Sequence, residues 1–161
     1  MSIWERCKRQ RRVCRAGEAV LALSLVSVGP VFAQEVADCD WRAAAQAIAE
    51  PWEANSRTFA NGAIRLAVMD VLEPAAAAYH LLILSPPYSE LGERQCRVMS
   101  ATGSMGFAGL SLDGASASYD PATGLTVSLP AKRWSDGDVF TDTRLLVTLN
   151  QASGAISGYL E

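Results

Sequence analysis

The sequence predicts a mainly β protein: an antiparallel meander folded as a sandwich or partly closed barrel of about seven to eight short strands, with one short N-terminal α-helix. Three observations carry this. Leu125, Val127 and Leu129 alternate with Thr126 and Ser128, and Leu145, Val147 and Leu149 repeat the pattern, as half-buried antiparallel strands require. Asp120-Pro-Ala-Thr-Gly124 and Asn150-Gln-Ala-Ser-Gly154 each open with a side chain that accepts backbone hydrogen bonds. Each closes with a glycine free to take positive φ, a hairpin signal. Tyr79 to Leu84 is almost wholly apolar, as in a central strand buried on both faces.

Residues 1–33 read as a cleaved secretory signal peptide and 34–161 as one exported β-rich domain. Arg6, Lys8, Arg9, Arg11, Arg12 and Arg15 form a basic leader, and Ala19 to Val28 form an apolar run too short for a bilayer, which needs about 20 residues. Pro30 then breaks the helix, and Val31-Phe32-Ala33 places small residues where signal peptidase accepts them. Arg15 spoils a twin-arginine motif at Arg11-Arg12, and Asp38 beside Cys39 spoils a lipobox. The reading is therefore a periplasmic or secreted protein with no stable membrane anchor after cleavage.

The rest of the chain follows in order. Asp38-Cys39-Asp40 leads into an alanine-rich segment that stops at Pro51. Trp41, Ala45, Ile48 and Trp52 then fall on one helical face, so a short core-covering helix is expected. Asn61-Gly62 marks a turn, and Ala63 to Val71 a strand. Glu73-Pro74 and its alanines connect to the strand from Tyr79, which Ser85-Pro86-Pro87 should end, because proline cannot donate to a ladder. Arg94 to Ala101, Phe107 to Leu112 and Ala115 to Tyr119 complete the set before the hairpins. No domain boundary is visible. The small residues between Ala101 and Ser118 suit a closely packed strand pair.

The chain has a net charge of −3. Setting aside the six basic and two acidic residues of segment 1–33 leaves eight basic and fifteen acidic ones, a net charge of about −7. Such a field argues against nucleic acid and anionic lipid surfaces. Cys39 and Cys96 are the only cysteines of that mature segment, and an even pair in an oxidising compartment reads as a disulfide.

Candidate chemistry is sparse. His80 is the only histidine, so any Ser–His mechanism must use it, but its apolar setting favours a structural role. Gly103-Ser104-Met105-Gly106 fails as a nucleophile elbow, because Thr102 stands where glycine is needed. Asp136, Asp138 and Asp142 are weak candidates for Ca²⁺, with Phe140 where an oxygen ligand belongs; a solvated acidic turn fits better, and no cofactor is expected. Two loops carry more aromatic content than a turn requires: one holds Tyr88, the other Lys132, Arg133, Trp134 and Phe140. They are the candidate ligand contacts, although Trp134 and Phe140 also suit plugs at the sheet's end. The expectation is a non-enzymatic binding or accessory module of the cell envelope, with an envelope protein or glycan as partner. The alternatives are a small periplasmic hydrolase and a purely structural envelope protein.

Overall fold

The computed structural model describes residues 33–135 and 139–161. The predicted signal peptide, Ala33 apart, therefore lies outside the described residues, as do Asp136 and Asp138. Ten strands are formed among those described: β1 (Glu35–Asp38), β2 (Ser56–Phe59), β3 (Ile64–Asp70), β4 (Tyr79–Tyr88), β5 (Arg94–Ser100), β6 (Gly109–Leu110), β7 (Ser116–Asp120), β8 (Gly124–Ser135), β9 (Val139–Leu149) and β10 (Ile156–Leu160). They make two antiparallel sheets, ordered β1-β5-β4-β3-β2 and β10-β9-β8-β6, with β7 also paired to β8.

The sheets pack face to face. Ile64, Leu66, Val68, Leu81, Ile83 and Met99 from the first meet Leu125, Val127, Leu129, Leu145, Val147 and Leu149 from the second in one buried core. Alternation puts each of these on the inner face, so hydrophobic burial dictates the register: a one-residue slip would turn the whole set to water. Two seams stitch the layers at their margins. The Gln34 N–H donates to Gly158 O at 2.8 Å, and Tyr79 exchanges hydrogen bonds with Phe107 at 3.1 and 2.6 Å. At the second seam a Cβ on Gly106 would stand 2.4 Å from Tyr79 O, so only glycine permits that approach. The result is a sandwich with partly closed edges.

Both hairpin turns form as their sequence implies. The Asp120 carboxylate accepts from the N–H groups of Ala122 and Thr123 at 2.7 and 3.1 Å, and the Asn150 amide oxygen from Ala152 and Ser153 at 3.1 and 3.0 Å. Gly124 and Gly154 sit at φ +104° and +77°.

Three expectations need correction. The alanine-rich segment is not an α-helix but two 3₁₀ turns, Trp41–Ala43 and Ala45–Ala47, separated by Ala44 in an extended conformation. Helices this short are marginal in water, and tertiary contacts decide their shape. Here the ends are pinned, by the Cys39–Cys96 disulfide (Cα–Cα 5.4 Å) and by pairing of Ile48 with Met69. Trp41 and Trp52 face water, while Ala43, Ala47 and Ile48 pack down on Ala67, Met69 and Leu82. We call residues 39–49 the strap. Secondly, β4 does not stop at Ser85. A bulge between Ser85 and Tyr88 absorbs both prolines outside the regular ladder, and pairing resumes at Tyr88–Arg94. Thirdly, of Phe107 to Leu112 only Gly109–Leu110 is strand, because Phe107 pairs with Tyr79 of the opposite sheet.

Candidate functional site

Beneath the strap lies a polar cluster. Tertiary packing buries the outer face of the first sheet, including His80 and Ser100, each 1% exposed. Buried polar groups must be paired, and these are. Arg42, on the strap's first turn and 7% exposed, reaches back to Asp40 through Nε at 2.9 and 3.1 Å and Nη2 at 2.8 Å. Its Nη1 donates to Ser100 Oγ at 3.0 Å, and Ser100 Oγ lies 2.9 Å from His80 Nδ1. Arg42 donates to the hydroxyl oxygen, and the same hydroxyl pairs with Nδ1 of the imidazole.

The electrostatics favour a neutral ring. Burial pushes His80 down to about 4, and the Arg42 cation adds to the shift against a smaller opposing pull from Asp40. The side-chain hydrogen bonds from Arg42 hold the Asp40 carboxyl below its usual range. Chemically, Ser100 beside His80 has the contact of a nucleophile and its base. It lacks access: the strap seals it, and Arg42 occupies the oxygen. Sequence reasoning flagged His80 but missed Asp40, Arg42 and Ser100. The available signal was His80 inside an apolar run, which demands a buried polar partner.

A second site lies at the end of the sandwich where β8 and β9 run beyond β10. Pairing of β9 with β10 ends at Leu145–Leu160, whereas β8 and β9 stay paired out to Ser135–Val139. This projecting ribbon carries Lys132, Arg133, Trp134 and Phe140. Trp134 stands directly opposite Phe140, and Lys132 opposite Asp142, with an ion pair of 3.6 Å. Arg133 and half-buried Trp134 line a cleft of about 470 Å³ with Met105, Phe107, Ala77 and Leu160. Phe140, 54% exposed, is not a plug.

Tyr88 does not join this group. It lies at the other end of β4 from Tyr79, whose partner Phe107 belongs to the cleft, and its ring sits under the Arg94 guanidinium at 5.9 Å. The two predicted contact loops therefore occupy opposite ends of the sandwich. Asp142 is engaged by Lys132, and among the described residues no three metal-binding side chains gather. A larger recess of about 610 Å³ includes Glu50, Asp70 and Lys132, whose mixed charges favour no one kind of ligand.

No helix among the described residues is long and apolar enough to cross a membrane. No protein family, curated protein or solved structure matches the chain.

Proposed function

We propose that the protein is an exported accessory module of the cell envelope that binds an envelope protein or glycan without transforming it. The basic leader, the short apolar run and Val31-Phe32-Ala33 support export to the periplasm, as does the disulfide between Cys39 and Cys96. The observation that carries the binding role is the ribbon-end cleft, where a half-buried indole and a guanidinium share an open concavity. Capture from envelope extract by tagged mature protein tests it. A partner should be retained by wild type and by Thr126→Ala, and lost by Trp134→Ala. Equal recovery by all three would overturn the cleft as the binding site.

One observation favours a second reading, a small hydrolase: the 2.9 Å contact between Ser100 Oγ and His80 Nδ1. A broad ester, glycoside and peptide screen separates the two. Turnover abolished by both Ser100→Ala and His80→Gln, in variants that remain folded, would replace the binding role with an enzymatic one.

A further inference from the structure

The cleft at the ribbon end also has a chemical preference, which rests on the binding role above and assigns this cleft to an acyl-bearing envelope component rather than to a bare peptide or sugar. Its walls are mainly apolar: Ala77, Ala101, Met105, Phe107, Trp134 and Leu160 line it, with Gln34 and Thr102 as the neutral polar side chains. Among the described residues Arg133 is its only charged lining residue. Arg133 is exposed and has no acidic partner among the described residues; the neighbouring cation, Lys132, is already paired with Asp142. All this sits on a chain that is acidic overall.

An apolar trough with a single cation at its lip selects for a molecule with an apolar body and one anionic end. A neutral apolar molecule would fill the walls but leave the guanidinium without a partner. A small hydrophilic anion would pair with the guanidinium, in competition with water, and leave the walls wet. Only the combination uses both, and a guanidinium is suited to carboxylate because it can donate two parallel hydrogen bonds. The volume lies within the range of small-ligand sites. We propose that this cleft binds a single-chain monoanionic amphiphile, with the acyl chain against Trp134 and Met105 and the carboxylate at Arg133.

Dodecanoate, below its micellar range, is the probe. Dodecyl maltoside supplies the same chain without charge, and acetate the charge without the chain. Calorimetric titration of the mature protein should show dodecanoate binding at least tenfold tighter than either. Arg133→Gln should weaken dodecanoate about tenfold and leave dodecyl maltoside unchanged. Trp134→Ala should weaken both, and Thr126→Ala, on the far side of the second sheet, neither. Arg133 is exposed, so its variant retains the fold. Failure to bind dodecanoate, equal affinity for the charged and neutral chains, or indifference to Arg133→Gln would each overturn the assignment. If envelope capture still depends on Trp134 in that event, the cleft stands and only the ligand class falls. If capture is indifferent to Trp134 as well, both fall.

Discussion

The outer faces of the two sheets differ, although their inner faces are alike. On the first sheet the outward residues Met69, His80 and Ser100 are buried, because the strap lies over them. On the second the corresponding face is open and polar. Thr126 and Thr148 pair across strands at 3.1 Å, and the Arg144 Nε donates to Ser128 Oγ at 2.7 Å. The contrast teaches that burial on both sides belongs to the layer that covers a strand. It also explains why β4 reads as an apolar run and β8 as a strict alternation.

The contrast can be broken most forcefully at Met69. Met69→Ala should cost about 2–5 kcal/mol in a denaturant titration, since it opens a cavity beneath the strap. The matching truncation on the open face, Thr126→Ala, should stay within about 0.5 kcal/mol. Equal costs would mean that the strap contributes no second core. Replacing both Cys39 and Cys96 by alanine should cost about 2–4 kcal/mol, given partners 57 positions apart in sequence. It should also raise hydrogen exchange in residues 39–49 ahead of β8 and β9.

Acid sharpens the comparison, because only the covered face holds a histidine. His80 is lowered to about 4 in the folded chain against 6.5 unfolded. The unfolded chain therefore binds the extra proton first as pH falls. Stability tied to His80 is complete above about pH 6.5 and is lost on the way down to pH 4, a change on the order of 3 kcal/mol. His80→Gln should flatten that part of the stability profile; an unchanged slope between pH 6.5 and 4 would show that the ring is not held neutral. A smaller effect than any on the covered face belongs to the open one. Arg144→Ala removes hydrogen bonds to Ser128 in a partly solvated setting and should cost about 1 kcal/mol.

How far the chain could be read beforehand follows the same division. The turns at Asp120 and Asn150 and the alternation of β8 and β9 are local signals, and residues within a few positions of one another decide them. The disulfide was legible from an even pair of cysteines expected in an oxidising compartment, and loop composition singled out Trp134 and Arg133, which the structure places on one cleft. The strap was not, because its shape is imposed by Cys96 and Met69, which lie far along the chain. Nor was the polar cluster: Arg42 and Ser100 are 58 positions apart, and Ser100 is 20 from His80. The placement of Tyr88 and Trp134 at opposite ends depends on strand direction, which loop composition does not encode.

The long β8–β9 hairpin has one more consequence, in the order of assembly. Its strands adjoin in sequence, so closing that ribbon sacrifices little chain entropy. By contrast, β1 finds its ladder on β5, with Glu35 opposite Ser100, only after most of sheet one has been synthesised. A chain emerging N-terminus first must carry β1 and the strap without partners while the intervening strands appear. Among the described residues, the segment that completes the buried polar cluster is thus the first to be made, yet it must wait for the last strand of the first sheet before it can settle.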